Sequence, residues 1–210
     1  TRDERSTDVS GLAEPPADDD DAKPPPAQLG RAFLSEHHVI AASGTLYLYR
    51  DGAYRPDGEG DVRRWAQGEL GRRSRKHDGD ELIYWLEQQC AVEASQLDAS
   101  DLVNVANGLL DWKTGLLRPH SPDVLSTVQL PTEWHADAHH ERGHRFLDEV
   151  LPDRETRSVV EEFIGYCLWP DCRFQKTMMA TGAEGSNGKS VLLNWIVALL
   201  GEDNVSSVKL

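Results

Sequence analysis

Lys176-Thr177-Met178-Met179-Ala180-Thr181-Gly182-Ala183-Glu184-Gly185-Ser186-Asn187-Gly188-Lys189-Ser190 decides how the second half of this chain is read. A short apolar run enters a glycine-rich turn. Gly188-Lys189-Ser190 then opens the apolar stretch from Val191 to Leu200, which stops at Gly201. Strand, loop and helix in that order form a phosphate loop, because glycines let backbone N–H groups converge on phosphate oxygens and the positive helix end adds to the field. On this reading 176–181 is a buried strand. Val191 to Leu200, apolar nearly all round, is a helix sandwiched inside an α/β core. The candidate nucleotide-binding residues are Gly182, Ala183, Glu184, Gly185, Ser186, Asn187, Gly188, Lys189 and Ser190. Lys189, the one catalytic assignment, is expected to face the β- and γ-phosphates of ATP as a point charge, and Ser190 to place its hydroxyl on Mg²⁺. One position departs from the G-x-x-x-x-G-K-S pattern: Ala183 stands where the first glycine belongs, with Gly182 one step earlier.

The whole chain bounds what such a loop can serve. It has 210 residues, 39% of them hydrophobic, and 36 acids against 22 bases give a net charge of −14. That length fits one or two domains. Such acidity rules out broad electrostatic coating of nucleic acid, so any contact must be local. Cys90, Cys167 and Cys172 form no even framework and no C-x-x-C pair, which fits reduced thiols. No basic segment followed by an apolar run opens the chain, and the Val191 to Leu200 stretch is about half of the ~20 residues a membrane helix needs. A cytoplasmic protein without a membrane segment is expected, encoded by a bacterium, phage or mobile element. Because the sequence starts at Thr1 and stops soon after Ser190, it is expected to be a piece of something longer.

Upstream of the loop the chain divides. Residues 1–28 hold Asp18-Asp19-Asp20-Asp21 and Pro24-Pro25-Pro26 with few large apolar side chains, the composition of a disordered acidic tail or linker. Arg31 to Ser43 reads as a weak helix. Thr45 to Tyr49 alternates with period two into Asp51-Gly52 and Ala53 to Arg55, a hairpin signal. Val62 to Leu70 has a helical period ending at Gly71, and Asp80 is placed to cap a helix over Glu81 to Cys90. Leu102 to Arg118 reads as a meander turning at Asn107-Gly108 and at Lys113-Thr114-Gly115. Residues 29–135 are therefore a small α+β domain. Residues 136–210 supply a helix carrying Phe146, Leu147, Val150 and Leu151, and a second capped by Asp153 with Val159, Val160, Phe163, Ile164, Cys167 and Leu168 on its buried side. The phosphate loop follows. The expected class is α/β with an α+β N-terminal domain.

The order of several stretches resembles a known family. Asn107-Gly108-Leu109-Leu110-Asp111-Trp112-Lys113-Thr114-Gly115-Leu116-Leu117-Arg118-Pro119-His120-Ser121-Pro122 precedes Phe146-Leu147-Asp148-Glu149-Val150-Leu151, then Glu162-Phe163-Ile164-Gly165-Tyr166-Cys167-Leu168, then the loop. The succession is similar to the phage and plasmid primase–helicase family, also found in poxviruses, whose motor is a superfamily III helicase. The resemblance spans about 29–210. It implies an α+β domain leading into an AAA+ motor that works as a homo-hexamer and couples ATP hydrolysis to DNA unwinding in replication. Only Lys189, Ser190 and the loop around Gly185 to Gly188 take roles from it. A P-loop motor also needs an acidic strand end and an arginine from its neighbour. Neither is found in the twenty residues after Ser190, since Glu202-Asp203 follows a helix-stopping glycine. This portion alone is therefore expected to be inactive. The other readings are a non-catalytic module that binds replication partners and an unrelated P-loop ATPase or kinase.

Outside the loop, Arg63, Arg64, Arg72, Arg73, Arg75 and Lys76 concentrate positive charge. Six phosphate contacts would give a log–log salt slope of about −5, and Arg72, Arg73, Arg75 and Lys76 are the candidate local DNA contact. Asp61, Glu69 and Asp78 beside them favour a solvated loop instead. His135, His139, His140 and His144 carry ligand-like spacings but no apolar periodicity, which fits a solvated linker better than a metal site. Tyr47, Tyr49 and Tyr54 fit cross-strand packing better than base stacking.

Overall fold

The computed structural model describes residues 23–181 and 188–206. The acidic run and the loop residues Gly182, Ala183, Glu184, Gly185, Ser186 and Asn187 lie outside that set. The described chain is mixed α and β, with two small antiparallel sheets and six α-helices.

The first layer is built by α1 (Pro26–Glu36), β1 (Val39–Ala42), β2 (Thr45–Arg50), β3 (Ala53–Arg55), α2 (Gly58–Leu70) and α3 (Lys76–Gln89). β1, β2 and β3 pair as a meander. The expected helix over Arg31 to Ser43 is corrected: Pro26 starts it, three residues inside the expected tail, and it ends at Glu36. Pro suits a first helical turn, where its missing N–H has no partner to lose. Beyond Glu36 the run Val39-Ile40-Ala41-Ala42 is wholly buried as a strand, because Ser43 and Gly44 take φ of 51° and 76° and fold it back onto β2. The Asp51-Gly52 hairpin forms as expected, with φ of 50° and 88°. Phe33, Leu46, Val62, Leu82 and Leu86 fill the space between helices and sheet.

Asp80 does not cap α3. The helix begins four residues earlier, at Lys76, and the Asp78 carboxylate accepts from the Arg75 amide across its first turn. That reciprocal arrangement satisfies an otherwise orphaned donor. Asp80 instead receives Arg63 at 2.9 Å.

The second sheet is β4 (Val103–Val105), β5 (Gly108–Asp111) and β6 (Leu116–Arg118), the expected meander. Polar bonds seam the two sheets: Asn104 Nδ2 donates to the Gly52 carbonyl, and the Tyr54 hydroxyl to the Pro122 carbonyl. Asp98 accepts from the Thr127 and Val128 amides and fixes the path of the segment after β6.

The last part holds α4 (Glu141–Val150), α5 (Arg154–Cys167) and α6 (Lys189–Leu200) around a small cluster of Leu147, Val160 and Leu192. Asp153 caps α5 as expected, accepting from the Thr156 amide at 2.8 Å. Two expectations fail here. Residues 176–181 form no strand, and Met179 is 84% exposed. A strand needs a ladder partner for its amides, and none of the described strands lies beside it. Helix α6 is not sandwiched either: Leu192 alone is buried, while Val191 and Leu193 stand about half exposed. Val159, expected inside, is also exposed. No helix among the described residues is long and apolar enough to cross a membrane.

Candidate functional site

Gly188 ends the loop in the left-handed region, φ 79° and ψ −6°, and serves as N-cap of α6. A Cβ at this position would lie 2.5 Å from Val150 Cγ1, so both backbone angle and packing demand glycine. No side chain caps α6. Its first-turn amides and positive dipole end therefore suit an anion, beside Lys189 and Ser190 in the first turn. Gly188 and Lys189 open onto a cleft of about 560 Å³ whose apolar wall comes from Val150, Leu151, Val159, Val160, Met178 and Met179. That volume lies within the ~300–1,000 Å³ typical of small-ligand sites. The rest of the lining is polar and mixed in charge, with Lys189 beside Asp153, Glu155 and Thr156.

Two acids, Asp153 and Glu155, line the cleft with Lys189. Asp153 accepts from both the hydroxyl and the amide of Thr156, and those bonds hold its carboxyl below the ordinary range. Glu202 and Asp203 sit in a 3₁₀ turn past the C-terminal end of α6. The twelve-residue length of α6, which begins at Lys189, sets them apart, by roughly 17 Å at the helical rise.

A second charged site lies at the α2–α3 junction. Leu70 ends α2, Gly71–Arg73 forms a 3₁₀ turn, and Arg75 is the N-cap of α3. Arg72, Arg73, Arg75 and Lys76 are all exposed there. Arg63, Gly71, Ser74, Arg75, Lys76 and Gly79 line a polar cleft of about 340 Å³. The other two arginines of the sequence cluster carry ion pairs. Arg63 pairs with Glu59 and Asp80, and those carboxylates push its guanidinium pKa up, while Arg64 pairs with Asp61. Arg63 thus lines the same cleft as Arg75 and Lys76 while ion-paired, and Arg64 turns to Asp61.

Other residues singled out by sequence have structural employment. His140 caps α4, its Nδ1 accepting from the Gly143 amide at 2.9 Å, while His139 stacks on His144 and His135 meets Glu133. They do not converge as a metal site. Among the described residues, His77, Asp78 and Glu81 bring three ligand atoms within 4.8 Å, but Lys23 and the Arg75 amide already hold the Asp78 carboxylate. Tyr49 and Tyr54 are direct cross-strand partners, 5.2 Å apart, and burial raises both phenols. Sequence reading missed two features. Trp112 meets Trp169 edge to face, with the Arg173 guanidinium 4.0 Å from the Trp169 ring. Lys23, within the expected tail, forms an ion pair with buried Asp78. Neither pairing has a local sequence signal, since each joins residues more than fifty positions apart.

Comparison with protein families matches residues 30–152, more than half of the chain, to the family described as D5 N terminal like. No curated protein matches the chain.

Proposed function

The chain belongs to the D5 N terminal like family of primase–helicase proteins, and from that premise we propose that it is the ATP-binding front of a DNA replication helicase of the phage and plasmid primase-associated type. In this reading 29–135 is the α+β N-terminal domain and 136–210 opens a P-loop AAA+ domain, after an acidic tail over 1–28. ATP with Mg²⁺ is the ligand, DNA the substrate, and a homo-hexamer the working assembly. The supporting observation is Gly188, held at positive φ against Val150 so that α6 opens with Lys189 on a largely apolar cleft.

Lys189 supplies charge to the β- and γ-phosphates, the α6 amides bind their oxygens, and the Ser190 hydroxyl offers a ligand to Mg²⁺. Met178 and Val150 cover the base. Arg72, Arg73, Arg75 and Lys76 give the local DNA contact, through phosphates rather than base edges. Turnover is a separate matter. Asp153 caps α5 and Glu202-Asp203 lie past the far end of α6, which leaves Glu155 as the other carboxylate lining the cleft with Lys189. Binding without rapid hydrolysis is the reading for these 210 residues, since a P-loop motor also needs an arginine from a neighbouring subunit.

Photolabelling with 8-azido-ATP in Mg²⁺ tests the reading. Label should appear on peptides spanning 150–160 or 176–181, be competed by ATP, and vanish in Lys189→Ala. Labelling that Lys189→Ala leaves unchanged would remove the cleft as the nucleotide site.

A further inference from the structure

We propose that His77, Asp78 and Glu81 form a divalent-metal site of the zinc type on the first turns of α3, where the Lys23 ammonium holds the metal's place until the metal displaces it.

The ligand set is compact. One ring nitrogen of His77 and one carboxylate oxygen each from Asp78 and Glu81 lie within 4.8 Å of one another. His77 Nε2 stands 3.3 Å from Asp78 Oδ1. Two ligands bound at ~2.0–2.1 Å in a tetrahedral zinc site are separated by roughly 3.4 Å, so this pair already has the required spacing. Glu81 follows His77 by one helical turn, on the same face. Its exposed side chain has to close by at most about 1.5 Å to complete the set. Asp78 is held ready for the role. Its side chain is 2% exposed, and the Arg75 amide donates to Oδ2 at 2.5 Å, which leaves Oδ1 to face His77. An outer donor of that kind orients a ligating carboxylate.

A cation already sits on these ligands. Lys23 Nζ pairs with Asp78 Oδ1, the same oxygen that His77 meets. That ammonium brings one positive charge to a cluster of two carboxylates, and among the described residues no base pairs with Glu81. A divalent ion balances both acids. The donor types select which ion: an imidazole with two carboxylates suits Zn²⁺, Co²⁺ or Ni²⁺, while Mg²⁺ and Ca²⁺ favour all-oxygen sets. His77 and Glu81 also line a cleft of about 500 Å³ with Pro26, Asp80, Tyr84 and Trp85, which leaves room for water at a fourth coordination position.

Titration of the whole chain with Co²⁺, followed by Zn²⁺, tests the site. Bound Co²⁺ should give the intense visible bands of a four- or five-coordinate ion, and Zn²⁺ should erase them. His77→Gln and Glu81→Gln change exposed side chains outside the core, so both variants should keep the parent's circular dichroism. Each should weaken Co²⁺ binding by at least about tenfold. Lys23→Met carries the sharper prediction. Removing the internal competitor should tighten metal binding by about three- to tenfold, the effect of losing one ion pair. A merely exposed histidine would respond to His77→Gln but not to Lys23→Met. Absent bands at millimolar Co²⁺, binding that His77→Gln or Glu81→Gln leaves unchanged, or equal affinity of parent and Lys23→Met would each overturn the proposal.

Discussion

Two residues show how much a single side chain, or its lack, decides. Gly188→Ala adds a methyl 2.5 Å from Val150 Cγ1 at a φ of 79°, and left-handed backbone alone costs about 1–2 kcal/mol for a residue with Cβ. Nucleotide affinity should fall with stability, and a urea titration beside a binding titration would show both; unchanged values would mean the cap is not held as described. Asp78 carries the second prediction. Burial alone would raise its carboxyl, but the Lys23 ammonium, the Arg75 amide and His77 together hold it below the ordinary carboxylate range. A depressed folded-state value gives stabilisation that is fully present above the unfolded value of about 3.9 and lost as pH falls below it. The parent should therefore lose stability between about pH 4 and pH 2 more steeply than Asp78→Asn does, as read by thermal unfolding across that range. Parallel profiles would contradict the pairing.

At the scale of elements, what was legible followed local chemistry. Asp51-Gly52, Gly71, the Asp153 cap and Gly201 all act through backbone angles or bonds closed within a few residues, and each stands where sequence placed it. What failed depended on partners. The run 176–181 has strand composition but no neighbouring strand, and α6 has an apolar circumference but only one covered stripe. The α3 start was missed because Asp78, not Asp80, meets a backbone donor, and only the three-dimensional course of Ser74 and Arg75 reveals it. Packing between helices makes its own prediction. A Cβ on Gly30 would fall 2.1 Å from the Trp85 indole, so α1 approaches α3 only because residue 30 lacks one. Gly30→Ala should destabilise by about 1–3 kcal/mol, the usual range for overpacking. Chemical denaturation should show a lower midpoint with an unchanged slope; an unchanged midpoint would mean that α1 can shift freely.

For the molecule as a whole, the family match covers the part whose elements were most legible, while the nucleotide reading rests on the less covered remainder. The phosphate-binding part of that reading stood on Gly188, Lys189 and Ser190, and their arrangement at a helix start needed no buried sheet to be described. Steady-state phosphate release by these 210 residues should not exceed background, because a P-loop motor also needs an arginine supplied by its neighbour; robust turnover lost in Lys189→Ala would show that Glu155, Glu184 or Glu202-Asp203 serves as the catalytic acid. The measurement that bears most directly on the central claim is an equilibrium titration with Mg²⁺-ATP, by calorimetry, on the parent and on Lys189→Ala. Losing a charge-assisted contact worth about 1.5–3 kcal/mol should weaken binding by roughly ten- to a hundredfold. Saturable binding by the parent that falls by that factor in the variant is the predicted result. Equal affinity in the two proteins, or no heat in either at millimolar nucleotide, would contradict a nucleotide site at the start of α6.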